Sequence, residues 1–262
     1  MSLLALHCWR APAGSTSECV KPCARAPLPA AAPSHAPPTS PRCSFTTFND
    51  TIWTQQTDIE HCNDGACFEA RPDHLHYSPA GLTVEMSQEP CNTTSCCVGS
   101  KCASWASGHL ATVATQAYGT YTATLQPAHR AGNATPPSNA FSCWTPSYRS
   151  TPHHEIAICF SGSDPTSVHF SYWYDATAHT TLLYPFPASG TFSEAPHDYT
   201  VVWAPTKIEL FIDGASAHAV TGTTATLPSR EGYMAVILRP KNTAYIADSY
   251  FYAARMGYDE AY

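Results

Sequence analysis

The segment HEIAICFSG at 154–162 alternates polar and apolar residues with the period of two that is typical of a β-strand. Glu155, Ala157 and Cys159 therefore share one face of the predicted strand. The apolar residues face the other way: Ile156, Ile158 and Phe160. A carboxylate can act as a nucleophile or a general acid or base, and a thiol, with an unperturbed pKa of about 8.5, can donate a proton. Alanine can do neither, so the row holds only part of a two-group catalytic site.

Twelve cysteines, an even number, predict disulfides rather than metal binding. Zinc sites need matched pairs such as two C-x2-C motifs, whereas the spacings here are irregular and Cys96 is adjacent to Cys97. The predicted disulfide cysteines of the main domain are Cys62, Cys67, Cys91, Cys96, Cys97, Cys102, Cys143 and Cys159. His153 and His154 predict no metal site, because adjacent strand residues point to opposite faces.

Three Asn-x-Ser/Thr sequons, at Asn49, Asn92 and Asn133, predict N-glycosylation. Together with the cysteines they favour an oxidising secretory route and therefore a secreted or cell-surface glycoprotein. The N-terminal MSLLALHCWRAPAG has too short an apolar run for a typical secretory signal. No apolar run approaches the roughly 20 residues of a membrane-spanning helix.

The composition is that of a weakly charged globular protein. Only 13% of the 262 residues are charged, and the formal net charge is −7. The 13 Lys and Arg residues form no cluster, so the chain lacks the electrostatic pattern of a nucleic-acid-binding protein.

The chain divides into an arm and a domain. Residues 1–42 are predicted to form a Cys- and Pro/Ala-rich N-terminal arm, because the recurrent prolines of 24–42 fix φ and remove backbone donors. The arm is either a flexible tether or a strap that engages a neighbouring subunit in a filament or extracellular matrix. Residues 43–262 contain many short β-like runs and no long helical period, which predicts an all-β sandwich or jelly roll.

Five segments occur in an order that resembles the family-16 glycoside hydrolases. They are YGTYTATLQPA at 118–128, AFSCWTP at 140–146, HEIAICFSG at 154–162, HDYTVVWAPTKIELFIDG at 197–214 and DSYFYAARMGY near the end. The resemblance covers about residues 75–258, and the segment 197–214 is its most specific part. It implies a concanavalin-like β-jelly roll with a concave cleft that binds polysaccharide. It implies no catalytic cofactor, and a structural calcium ion is compatible with it.

The resemblance also implies roles for the row at 155–159. Family members hydrolyse with retention, using two carboxyl groups about 5–5.5 Å apart, and carry them in an E-x-D-x-E strand. Glu155 fits the nucleophile, Ala157 replaces the tuning Asp, and Cys159 replaces the acid/base. Cys143 lies on the strand that neighbours the catalytic strand in this family, which implies a Cys143–Cys159 disulfide.

We therefore expect a glycoside-hydrolase-like protein without activity, serving in glycan binding or as an extracellular structural component. One alternative is an active β-glucan or galactan hydrolase or transglycosylase with an unusual acid/base. The other is a subunit that self-associates through its arm into a filament or matrix. The predicted sugar-stacking residues, from strands that line such clefts, are Trp144, Trp173, Trp203, Tyr118, Tyr172 and Tyr174. Arg239 and Pro240 stand near the place where the family often has a cleft Trp.

Overall fold

The computed structural model describes residues 43–57, 59–63, 66–89, 97–98, 101–102, 104–130, 140–148, 153–175, 179–185, 191–241 and 248–260. The predicted arm at 1–42, its tether and strap alternatives and the sequons at Asn92 and Asn133 lie outside these residues. The predicted disulfide cysteines whose side chains also lie outside the described part are Cys62, Cys67, Cys91, Cys96, Cys97 and Cys102.

The described residues form twenty β-strands and one 3-10 turn, Pro72–His74. The first ten strands are β1 (Cys43–Ser44), β2 (Trp53–Gln55), β3 (Ile59–Asn63), β4 (Ala66–Ala70), β5 (Leu75–Ser78), β6 (Gly81–Ser87), β7 (Cys97–Val98), β8 (Lys101–Cys102), β9 (Trp105–Ser107) and β10 (His109–Thr112). The others are β11 (Gly119–Arg130), β12 (Ala140–Tyr148), β13 (Glu155–Ser161), β14 (Asp164–Trp173), β15 (His179–Pro185), β16 (His197–Ala204), β17 (Lys207–Ile212), β18 (Ala215–Thr221), β19 (Tyr233–Pro240) and β20 (Ser249–Glu260). Over the same residues, no helix has the length and apolar character needed to cross a bilayer.

Two large sheets build the fold. The eleven-stranded sheet runs β18-β17-β16-β11-β20-β6-β9-β4-β3, with β1 paired to β20 and β5 to β6. The seven-stranded sheet runs β15-β14-β13-β12-β19-β10-β2, and β7 and β8 form a separate two-stranded ribbon. The strand pairs are antiparallel except for β4 with β9. The all-β jelly-roll prediction is confirmed.

The hydrophobic core lies between the two large sheets. Tyr199 and Trp203 of β16 alternate with more exposed residues and are almost fully buried, at 0% and 1% exposure. The Phe160 ring of β13 meets the Tyr199 ring across the sheets, with centroids 5.2 Å apart. Each large apolar side chain buried in this way contributes about 1.5–3 kcal/mol. This packing fixes which face of β13 turns inward.

The residues Asp213 and Gly214, which end the segment 197–214, form a tight turn. Asp213 and Gly214 connect β17 to β18 and have positive φ values of 50° and 79°, as a two-residue type I′ hairpin requires. The Asp213 carboxylate also accepts the backbone N–H of Asp198 at 2.9 Å and lies 2.7 Å from Nδ1 of His197. The aspartate therefore joins the turn to the start of β16.

Candidate active site

The candidate site lies on the side of the seven-stranded sheet that is turned away from the core, which we call the outer face. Ile156, Ile158 and Phe160 of β13 point into the core, so the alternate residues of β13 belong to the outer face. Cross-strand pairing extends this face to Ser171 of β14 and to Ile237 of β19.

The structure brings Glu155, Ala157 and Cys159 together in one row on the outer face, as the alternation predicts. Glu155 begins the strand and keeps 15% of its side chain exposed. Ala157 and Cys159 are buried, at 2% and 6% exposure, although they lie on the outer face. The row is therefore accessible mainly at its Glu155 end.

A disulfide bond joins Cys143 to Cys159 at the third position of the row. The two residues are direct partners in the β12–β13 register, and their Cα atoms are 4.1 Å apart. Both are buried, with exposures of 5% and 6%. This is the pairing that the family resemblance implies. Because a bridged cysteine does not titrate, Cys159 cannot donate a proton in this state.

Glu155 at the other end of the row is paired with a histidine. Nε2 of His153 lies 3.3 Å from Oε2 of Glu155, and the His153 ring is 5.0 Å from the ring of Trp173. The Glu155 carboxylate raises the pKa of His153 above its ordinary value. The pair therefore favours the protonated form of His153 beside the carboxylate that resembles the family nucleophile.

His154 points away from this pair, as expected for the next residue on an extended chain. Its Nδ1 accepts the backbone N–H of Ser229 at 3.1 Å, and burial lowers its pKa. In the part of the chain that the structure describes, no three His, Cys, Asp or Glu side chains converge as metal ligands.

The six predicted sugar-stacking residues do not share one surface. Trp144, Trp203 and Tyr172 are buried at 0%, 1% and 8% exposure and belong to the core, because they occupy the inward positions of their strands. Tyr118 packs edge-on against Trp203, with centroids 5.2 Å apart, and Tyr174 packs against the core beside Tyr172. The three buried rings therefore cannot stack on a sugar in this structure, whereas Tyr118 and Tyr174 are partly exposed beside the core.

Trp173 is the exception among the predicted aromatic residues. It pairs with Glu155 in the β13–β14 register, lies on the outer face and is partly exposed. Its ring packs against His153 and keeps part of its surface exposed beside the Glu155 end of the row.

A basic group on the outer face was missed by the sequence analysis. Cζ of Arg239 lies 4.6 Å from the centroid of the Phe141 ring, and the ring of His169 meets Phe141 edge-on at 5.9 Å. Nζ of Lys241 donates to the Oγ atoms of Ser163 at 3.0 Å and Ser161 at 3.3 Å. The alternation of inward and outward residues along each strand could have placed these residues on the outer face. Arg239 follows the buried Leu238, and His169 stands between the buried Val168 and Phe170.

A cavity of about 610 Å³ opens beyond β10, at the end of the same sheet. Its larger lining side chains are Phe48, Asp50, Trp53, Pro72, Tyr148 and Tyr233. This cavity could not be predicted from the sequence, because the loop before β2 and the start of β19 meet only in the folded chain.

The sequence profile described as glycosyl hydrolases family 16 matches residues 64–254, which is most of the chain. The chain belongs to this family. Among curated relatives, this family-16 chain is 29% identical to a β-glucanase of Bacillus subtilis over 125 residues, 47% of this chain and 48% of that enzyme. It is 25% identical to a β-glucanase of Paenibacillus polymyxa over 187 residues, 70% of each chain. The match to the Bacillus relative thus spans about half of its length.

Solved structures agree on the fold of the family-16 chain. The Bacillus licheniformis β-glucanase superposes with a TM-score of 0.68 at 16% identity, covering 86% of this chain and all of that one. A lichenase derived from a mouse hindgut metagenome superposes with a TM-score of 0.67 at 18% identity, covering 83% and 97%. At these identities the likeness establishes the jelly roll, and the chemistry depends on the residues of the row.

Proposed function

We propose that this family-16 protein binds polysaccharide on its outer face and has lost the hydrolytic mechanism. One observation carries the proposal: the position of the expected acid/base, Cys159, is bonded to Cys143. Retaining hydrolysis needs a carboxylate nucleophile and a second carboxyl group about 5–5.5 Å away. Glu155 supplies the first group only.

The middle of the row supports the same conclusion. Ala157 offers no group that could tune or share a proton with Glu155, and its 2% exposure leaves no room for water in place of a side chain. The nearby His153 lies on the same side as Glu155 and does not supply a second carboxyl group across a glycosidic bond.

Glycan binding is supported by an aromatic side chain on the outer face and by the names of the relatives. Trp173 is partly exposed beside Glu155 on the outer face, and the Bacillus subtilis and Paenibacillus polymyxa relatives are β-glucanases. A ring at this place can stack on a sugar without any catalytic group. We therefore take a polysaccharide as the ligand of the outer face.

The setting that fits these features is extracellular. The Cys143–Cys159 disulfide persists in an oxidising compartment, and the Asn49 sequon lies in a surface turn. We propose a secreted or cell-surface glycoprotein on these two grounds.

The test separates binding from hydrolysis. Purified protein is incubated with lichenan and laminarin, and reducing ends are measured beside a Bacillus β-glucanase as the positive control. Retardation in gels containing the same glucans measures binding. Retardation without new reducing ends supports the proposal. Steady release of reducing ends that Glu155→Gln abolishes would support the alternative of an active hydrolase, and failure to bind any polysaccharide would contradict the binding function.

A further inference from the structure

We propose that the outer face carries a subsite for an anionic substituent of the polysaccharide, a sulfate ester or a uronate carboxylate. Arg239, His169 and Lys241 form this subsite around the ring of Phe141. The inference rests on the proposed glycan-binding function and specifies which class of glycan it serves.

Arg239 is the centre of the subsite because its side chain is half-buried against Phe141 and its guanidinium ion has no polar partner among the described residues. It pairs with Phe141 in the β12–β19 register and lies against that ring, where burial lowers its pKa although Tyr148 and Glu155 act in the opposite direction. Among the described residues it forms no hydrogen bond and no salt bridge, although it has five N–H donors.

A half-buried guanidinium ion without a polar partner is energetically unfavourable. Removing an ion from water is costly unless the ion is paired, and the contact with an aromatic face returns only about 0.5–2 kcal/mol. A sulfate or carboxylate matches the guanidinium fork through two parallel N–H···O bonds. A neutral hexose offers hydroxyl groups but no charge, so it leaves the ion unpaired.

His169 provides a second unpartnered polar atom on the outer face, and it approaches Phe141 from the β14 side, opposite to Arg239 on β19. Its Nε2 is buried and has no hydrogen-bond partner within the described residues. Burial lowers the pKa of His169, so the ring is neutral at pH 7 and presents one N–H and one acceptor nitrogen. An anion beside it would accept the N–H and favour the protonated ring.

Lys241 adds a cation at the rim of the subsite. It is exposed, and its Nζ is fixed by the hydroxyl groups of Ser161 and Ser163. Its charge contributes to lowering the pKa of His169, which places the two side chains within electrostatic range. The opposing carboxylates are Asp164, which acts on His169, and Glu155, which acts on Arg239.

The local cluster of basic residues contrasts with the negative net charge of the whole protein. With a net charge of −7, the chain repels polyanions at long range. Preferential binding of an acidic polysaccharide would therefore come from a built subsite and not from general attraction.

The test uses one glucan in three forms: laminarin, sulfated laminarin and laminarin oxidised to carboxylate at C6. Binding to the full chain is measured by calorimetry at 0.15 M salt. We expect at least one anionic form to bind about tenfold or more tightly than neutral laminarin, a difference of about 1.4 kcal/mol. Which form it is distinguishes a sulfate ligand from a uronate ligand.

Variants test whether the preference for the anionic glucan depends on Arg239. Arg239→Gln should abolish the difference in affinity between the anionic form and neutral laminarin, both measured on that variant. Arg255→Gln is the matched control, because it removes the same charge from an exposed position of β20 in the other sheet. Thermal unfolding verifies that both variants fold, and Lys241→Gln provides a second, exposed position should Arg239→Gln fail to fold.

Two outcomes would overturn the inference. One is equal affinity for all three glucans, which leaves the proposed glycan binding intact. The other is an equal loss in Arg239→Gln and Arg255→Gln, which indicates diffuse electrostatics. If no form binds, the proposed function itself fails.

Discussion

Cys143 and Cys159 face each other across the central strands β12 and β13, and their disulfide stands four residues after Glu155 on the same row. In a family that requires two carboxyl groups on this row, the bridge fills the second position with a group that neither donates nor accepts a proton. The strand is preserved as structure, while the mechanism depends on residues that are absent.

Restoring the row should restore turnover. The variant Cys143→Ser/Ala157→Asp/Cys159→Glu supplies a second carboxyl group and removes the cysteine that would otherwise lose its partner. We expect release of reducing ends from lichenan above the background of the unmodified protein. Adding Glu155→Gln should abolish that release, because the nucleophile is then missing. Equal turnover by the unmodified chain would contradict the role assigned to the bridge.

Removing the bridge should destabilise the domain. Cys143 and Cys159 are separated by 16 residues, and closing a loop of this size contributes about 3 kcal/mol in the chain-entropy model. We expect Cys143→Ser/Cys159→Ser to lower the free energy of urea unfolding by about 2–3 kcal/mol. The far-UV circular dichroism spectrum of the native variant should be unchanged. An undiminished unfolding midpoint would show that the strand pairing alone fixes β12 to β13.

The pair His153 and Glu155 should be visible in a pH titration. Because the folded-state pKa of His153 is raised, the stabilisation from its protonated form is fully present below its unfolded pKa, about 6.5. It is lost as the pH rises through the folded value. Glu155→Gln should lower the pKa of His153 measured by NMR, while Glu209→Gln, on β17 in the other sheet, should not change it. An unchanged His153 pKa in Glu155→Gln would exclude the ion pair.

Arg239 should reduce stability in the absence of ligand. Desolvation of a charge that has no ion-pair partner among the described residues costs free energy, and an apolar residue of similar size at this half-buried position removes that cost. We expect Arg239→Met to raise the free energy of unfolding by about 1 kcal/mol, and Arg255→Met, at an exposed site, to change it by less than about 0.5 kcal/mol. Thermal and urea unfolding measure both values. A loss of more than about 1 kcal/mol in Arg239→Met would mean that its contact with Phe141 outweighs the desolvation of the charge.

Asn49 should carry a glycan when the chain passes through a secretory pathway. Its Oδ1 accepts the backbone N–H of Thr51 at 3.1 Å and the Thr51 hydroxyl at 2.7 Å, which forms a surface turn. Intact mass before and after glycosidase treatment measures occupancy. Thr51→Ser retains the sequon and Thr51→Ala removes it, so only the alanine variant should lose mass at this site. The same mass for all three proteins would rule out modification of Asn49.

The row on β13 could be predicted because it depends only on the alternation of one strand. The positions of the aromatic side chains were harder to predict. Trp144 and Trp173 both lie in segments with a β-strand pattern, and the sequence alone does not show which face of each strand packs against the other sheet. The basic subsite was inaccessible for a further reason. Arg239, Phe141 and His169 are brought together by the registers of three strand pairs, and the chain separates them by up to 98 positions.

The bridge between β12 and β13 also limits how the protein can evolve. A change of Cys159 to Glu alone would leave a buried thiol at Cys143 and a carboxylate in a site with 6% exposure, while position 157 still lacked its acid. Such a step reduces stability and returns no chemistry, and the same holds for a change at Cys143 alone. The disulfide therefore couples positions 143 and 159: a substitution at either one leaves an unpaired thiol at the other, so the two cysteines are kept together or replaced together.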